Sequence, residues 1–230
     1  MDQKNANGAL SRLQSRIGYT FNRLALLEQA LTHRSKSKNN NERLEFLGDA
    51  LLEMIISNQL FHLRPEASEG DLTRLRATMV RSSTLAVLAN DLQLKDFMRM
   101  GSGELRTGGY QRKSTLADAF EAVIAAVYLD CRDFDRTADV VIRLYQKQLD
   151  ELPDAQQLKD PKTRLQEYLQ SKGREKPAYE QFDISGPDHN KRFEVKCCVA
   201  DKATTAVGSS KKKAEQGAAE AMLKALNIVF

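Results

Sequence analysis

The spacing of apolar residues changes at Pro153, and with it the kind of fold the chain can build. Up to about Leu149 the apolar positions recur at helical spacing, in LALLEQAL, LEFLGDALLEMIISNQLF, LTRLRATMVRSSTLAVLANDL, LADAFEAVIAAVYLD and ADVVIRLYQKQL. Beyond Pro153 comes one more helix, with Asp160 as N-cap and Pro161 at the first helical position. The period then shortens towards two. Ala178–Ser185, Arg192–Ala200 and Thr204–Gly208 read as strands, parted by a Gly-Pro-Asp turn and by a polar break at Asp201-Lys202. Ser209 or Ser210 caps a last helix, KKKAEQGAAEAMLKAL. The expected fold is mainly α in two domains: an all-α domain over residues 1–152, a polar linker over 153–159, and an α-β-β-β-α (α+β) domain over 160–230.

Several function classes drop out early. The longest apolar run, Ala122–Leu129, is far too short to cross a bilayer, and the amino-terminal residues have no apolar core of the kind an export signal requires. A cytoplasmic protein with no membrane partner is expected. Cys131, Cys197 and Cys198 suggest no disulfide framework, and His33, His62 and His189 are too scattered to complete a zinc site with them. Any metal would have to be held by oxygen. The net charge of +4 is mild, but its excess is concentrated: Lys191 to Lys213 holds seven basic and two acidic residues.

The sharpest chemical signal is an acidic stripe. On a helix starting near Asn41, successive 100° steps bring Glu42, Glu45, Asp49 and Glu53 onto one arc of roughly 80°. The ordinary reading is a solvated charged face. Against it, the arc continues through Leu52, Ile56 and Leu60, and the other faces carry Leu44, Phe46, Leu47, Leu51 and Ile55. A helix apolar nearly all round is expected to be buried. A second such helix carries Asp118 and Glu121 on a face continued by Ala125 and Leu129. Buried carboxylates repel one another unless a cation compensates them. Two acidic pairs on two buried helices could meet at one divalent cation; the rival reading satisfies them with Arg74, Arg76 and Arg81. Oxygen-bound Mg²⁺ suits phosphate esters, so a phosphodiester hydrolase is the simplest match.

The carboxy-terminal domain offers a substrate. Lys211, Lys212 and Lys213 in the first turn of the last helix oppose its dipole. A phosphate backbone across that end would reverse the penalty, although an exposed lysine run is the common alternative. Phe182 and Phe193 read as core positions, which leaves no aromatic platform for stacking single-stranded bases. Duplex RNA, recognised by shape, phosphates and 2′-hydroxyls, fits such a surface.

The run Asn41-Glu42-Arg43-Leu44-Glu45-Phe46-Leu47-Gly48-Asp49 resembles the signature of ribonuclease III, and Ala117-Asp118-Ala119-Phe120-Glu121-Ala122 resembles that family's second acidic motif. The last seventy or so residues resemble its double-stranded-RNA-binding domain, so the likeness spans essentially the whole chain. It implies an endonuclease domain in which Glu45, Asp118 and Glu121 hold Mg²⁺, with Mn²⁺ able to substitute, and in which Asp49 and Glu121 are catalytic. Glu42, Glu69 and Glu104 match further acidic positions, and Phe46 matches a position at a two-fold homodimer interface. RNA contacts are implied for Thr163, Gln166 and Glu167, for the loop around His189, and for Ser209, Ser210, Lys211, Lys212 and Lys213. The implied activity is Mg²⁺-dependent cutting of double-stranded RNA to leave 5′-phosphates and short 3′ overhangs, in maturation of ribosomal precursors and some messenger and transfer RNAs. No small-molecule cofactor is implied. A non-cleaving double-stranded-RNA-binding protein and a small-molecule metallophosphohydrolase are the alternatives; unpaired buried acids count against the first, the basic strand-rich domain against the second.

Overall fold

The computed structural model describes residues 3–155, 157–185 and 191–228. Two compact units divide between Leu152 and Pro153. In the first, α1 (Gln3–Ile17) and α2 (Leu24–Ala30) precede the long α3 (Glu42–Leu63). Next come α4 (Glu69–Val80), α5 (Ser82–Asp91) and the short α6 (Ser102–Arg106), followed by α7 (Lys113–Cys131), α8 (Phe134–Leu144) and α9 (Gln146–Asp150).

Helix α7 is the axis of this unit, because Leu116, Ala117, Ala119, Phe120 and every residue from Ala122 to Val127 are buried. Helices α3 and α5 pack along it. The approach of α3 is set by Gly48: a Cβ built there would lie 1.9 Å from the Glu121 carbonyl oxygen, so only a glycine admits the two backbones at this spacing.

Two expectations need correction. The periodic run Leu72–Leu92 is not continuous, since Arg81 is extended at φ −64, ψ 147 and separates α4 from α5. The Ser-Ser-Thr that follows is the cause. The Thr84 hydroxyl donates to the Thr78 carbonyl oxygen and the Thr84 amide to that of Arg81, so orphan carbonyls at the end of α4 are met by the next helix. Helix α3 is also not buried all round. Its Leu44, Leu52, Ile56 and Leu60 are buried, but Phe46 is 81% exposed, with Phe61 at 64% and Met54 at 57%. Apolar character on a face says that it will be covered, not that its own chain covers it.

Asp130 ties the amino-terminal segment to the end of α7. Its carboxylate accepts from the Tyr19 hydroxyl and from the amides of Asn22 and Arg23, each at 2.8 Å, and the Arg23 Nε lies 3.4 Å away. Burial works against the charge. The Asn22 amide, the Tyr19 hydroxyl and the Arg23 donors outweigh it and hold the carboxyl below the usual aspartate range. Asp130→Ala strands these buried donors and is expected to cost about 3 kcal/mol in urea unfolding at pH 7. Because the folded pKa is depressed, the contribution is present above the ordinary aspartate range and fades as pH falls through the folded value, so the wild-type and variant curves converge in acid.

The second unit runs α10 (Pro161–Ser171), β1 (Ala178–Ser185), β2 (Arg192–Val199), β3 (Lys202–Gly208), α11 (Lys211–Ala225). The strands form one antiparallel sheet in the order β1-β2-β3. Caps set the helix starts: Asp160 accepts from the amides of Lys162 and Thr163 with Pro161 beginning the helix, and Ser210 accepts from the Lys213 amide. Ser210, not Ser209, is therefore the cap of α11. The hairpin after β2 is tighter than the sequence suggests, since Val199 pairs with Lys202 and Ala200 turns the chain at φ +49, outside the strand. Leu165, Leu169, Cys197, Val199, Ala218, Ala219, Met222 and Leu223 form the core. Phe193 shares the inward parity of Val195 and Cys197 but is only half-buried and lies outside that core; the Phe182 side chain is outside the described residues. Lys162 bonds Glu215 at 2.8 Å and lies over the Tyr179 ring at 4.5 Å, which joins α10 to α11.

Candidate metal centre and nucleic-acid interface

The close approach at Gly48 brings acids of α3 and α7 together. One carboxylate oxygen from each of Glu45, Asp118 and Glu121 lies within 4.8 Å of the others. All three side chains are half-buried, and none has an ion pair among the described residues. The arginines that could have neutralised them are engaged elsewhere: Arg74 with Asp71 at 2.7 Å, Arg76 with the Ser57 hydroxyl, Arg81 beside Thr84.

The electrostatics follow from that arrangement. Burial, then the charges of Asp49, Asp118 and Glu45, push the Glu121 carboxyl up to about 8. Burial and the neighbouring Asp118 and Glu42 raise Glu45, against a pull from Arg34. Burial also raises Asp118, with His33 and the Arg34 guanidinium working the other way. Three oxygen donors that raise one another's proton affinity, with no cation of their own, fit a hard divalent ion and not a soft or imidazole-seeking one.

The remaining predicted acids divide. Asp49 is exposed yet close enough to raise Glu121. Glu42 is exposed and faces Arg34 at 3.4 Å. Glu53 is exposed too, so the stripe is not uniformly inward and only Glu45 of it enters the cluster. Glu104 bonds Arg112 at 2.9 Å and lines the same cleft as Glu45 and Asp118. Glu69 accepts from the Thr73 hydroxyl and lines a different cavity, with Phe61 and Arg76.

That cleft, of about 500 Å³, is also lined by His33, Arg34, Ser35 and Arg112, which motif reading did not single out. They come from the segment before α3 and from the N-cap of α7, where no periodicity marks them. The segment is pinned by backbone bonds. The His33 amide donates to the Arg99 carbonyl, that of Arg99 to the Leu31 carbonyl and that of Asn41 to the Thr32 carbonyl.

In the second unit Lys211, Lys212 and Lys213 are exposed in the first turn of α11. Gly208 places this turn directly against the end of β3, since a Cβ there would come within 2.4 Å of the Ala214 nitrogen. On α10, Gln166 and Glu167 are exposed, with Glu167 paired to Lys159; the Thr163 hydroxyl is spent on the Asp160 cap at 2.7 Å. Ser209 is exposed, Ser210 is the cap, and His189 lies outside the described residues.

A helical unit carrying an unneutralised acid cluster, followed by a small α-β-β-β-α unit with lysines at a helix start, defines a two-domain enzyme of nucleic-acid phosphodiesters. Residues 24–149 match the family model described as Ribonuclease-III-like, and residues 161–226 match the double-stranded RNA binding motif. The chain belongs to the ribonuclease III family of endoribonucleases. It is 51% identical over 216 residues to the protein named Ribonuclease 3 of Alkalilimnicola ehrlichii, covering 93% of this chain and 94% of that one. Two crystal structures of the ribonuclease III nuclease domain from Campylobacter jejuni resemble it at 42% identity and TM-score 0.58. One covers 59% of this chain and 95% of that chain, and the other 60% and 94%. The first concerns flexibility in a region involved in dimer formation of that domain. Among the described residues no helix is long and apolar enough to cross a membrane.

Proposed function

We propose that this chain is a Mg²⁺-dependent, homodimeric endoribonuclease that cuts double-stranded RNA in the cytoplasm, leaving 5′-phosphates and short 3′ overhangs on ribosomal and some messenger and transfer RNA precursors. The observation that carries this reading is the convergence of Glu45, Asp118 and Glu121 within 4.8 Å, none of them in an ion pair among the described residues. These three residues hold the ion, Mg²⁺ or Mn²⁺ in its place. When bound, a divalent cation there neutralises non-bridging phosphate oxygens and acidifies a water. Asp49, exposed and near enough to raise Glu121, would orient a water and receive its proton. Arg34 and Arg112 line the cleft as cations for the flanking backbone.

The exposed Phe46, Met54 and Phe61 of α3, spread over about four turns of that helix, supply an apolar face for a second copy. Gln166, Glu167 and the Ser209–Lys213 stretch supply the duplex contacts. Incubating the protein with an end-labelled RNA duplex, with and without Mg²⁺, and mapping the product ends tests the whole reading. Cutting that ignores the metal, or that prefers single strands, sinks it.

Changing Lys211, Lys212 and Lys213 together to Ala is expected to weaken duplex binding at least tenfold. The slope of log affinity against log salt should become shallower by about two to three. Filter binding across a salt series measures both, and an unchanged slope removes the start of α11 from the footprint.

A further inference from the structure

We propose that His33 donates its Nε2–H to a phosphate oxygen of the RNA strand flanking the cut bond, and that Ser35 is the positioning residue that fixes the imidazole in the tautomer able to do so. The inference rests on the nuclease reading above and adds a substrate contact to it.

The tautomer follows from a chain of donors. The Gly101 amide donates to the Ser35 hydroxyl oxygen at 2.9 Å. The hydroxyl proton is thereby free for His33 Nδ1, 2.8 Å away, and the Ser35 amide also donates to that nitrogen at 3.2 Å. Two donors on Nδ1 make it an acceptor, so the ring proton sits on Nε2. Nδ1 is turned to Ser35, and Nε2 has no partner among the described residues on a side chain that lines the cleft with Glu45 and Asp118. Gly101 is required for this geometry, because a Cβ there would fall 2.4 Å from the Ser35 carbonyl oxygen.

The chemistry of the neighbours selects the ligand. An N–H on Nε2 satisfies an anionic oxygen. Arg34 and Arg112 on the same cleft mark the path of a polyanion. Nε2–H, placed beside the cluster rather than within it, meets a phosphate next to the reacting one. Its contribution is equal in the bound substrate and in the transition state, so it appears in KM.

The side chain can be altered without dismantling the segment, since its anchors at Leu31, Thr32, His33 and Arg99 are backbone bonds. With the full chain and a labelled duplex in Mg²⁺, His33→Ala is expected to raise KM about tenfold with kcat within about twofold. His33→Gln, whose amide N–H reaches as far as Nε2–H, should recover most of the loss. Ser35→Ala should raise KM a few-fold and Ser35→Thr should restore it. Imidazole nitrogen NMR of the protein without RNA should show the Nε2–H form in the wild type and a mixture in Ser35→Ala. An unchanged KM in His33→Ala, a loss confined to kcat, or a tautomer indifferent to Ser35→Ala overturns the proposal while wild-type cutting stands. A wild type that does not cut duplex overturns the nuclease reading itself, and the NMR arm separates the two failures.

Discussion

Glu121→Gln is expected to lower the rate of duplex cleavage on the order of a thousandfold or more, with RNA binding in Ca²⁺ unchanged. Glu121 is the most strongly perturbed carboxyl of the cluster because burial and three acidic neighbours act on it together. The amide keeps the shape and removes the charge that holds the cation. The same change should act oppositely on stability. In the metal-free wild type the folded carboxyl is pushed up to about 8, well above the ordinary glutamate range. Between those values the folded chain holds a proton that the unfolded chain has shed, so stability falls as pH rises through the window and levels off above 8. The glutamine variant lacks that slope. Its metal-free Tm should exceed that of the wild type at pH 8, and the gap should close towards pH 5. A divalent cation, which replaces the proton, should raise the wild-type Tm more at pH 8 than at pH 6. Retained cleavage in the variant would remove Glu121 from catalysis. A wild-type Tm independent of pH over this range would show that the carboxyl is not held against its neighbours.

Gly48→Ala should be the most damaging substitution of one small residue for another. The added methyl would meet the Glu121 carbonyl oxygen at 1.9 Å and its carbon at 2.4 Å, both backbone atoms of α7. No side-chain rotation relieves that overlap, so α3 and α7 must part by roughly 1 Å, at a cost of about 3 kcal/mol from overpacking. The same parting draws Glu45 from Asp118 and Glu121. A misplacement of that size costs about a hundredfold in rate even in chains that remain folded. Urea unfolding and single-turnover cleavage measure the two losses separately. A Gly48→Ala protein with wild-type stability and rate would mean that the helices do not meet at this residue.

The sequence carried the helical unit, the three-stranded module and the cap at Asp160, and narrowed the cap of α11 to Ser209 or Ser210, because each rests on local periodicity or on a residue next to the helix it starts. It carried the meeting of α3 with α7 as one of two readings, since like charges with apolar neighbours need either a common cation or arginine partners. It could not carry the geometry of the cleft. Ser35 meets Gly101 across 66 positions, and His33 reaches the neighbourhood of Asp118 from a segment with no repeating pattern. Nor could it separate Glu45 from Glu42, Asp49 and Glu53. A wheel places all four on one arc, whereas the actual burial depends on where α7 ends its contact with α3. Arg81 shows the same limit in the backbone, where a break without proline or glycine is decided by hydrogen bonds to the next helix.

The alanines of α7 have one more consequence. Ala117, Ala119, Ala122, Ala125 and Ala126 are buried along the stretch that carries Asp118 and Glu121, and they have no χ angles to adjust. The spacing of the two backbones that carry Glu45, Asp118 and Glu121 is therefore written into main-chain contact instead of the rotamers of packing side chains. Evolution can retune that spacing only by shifting whole helices.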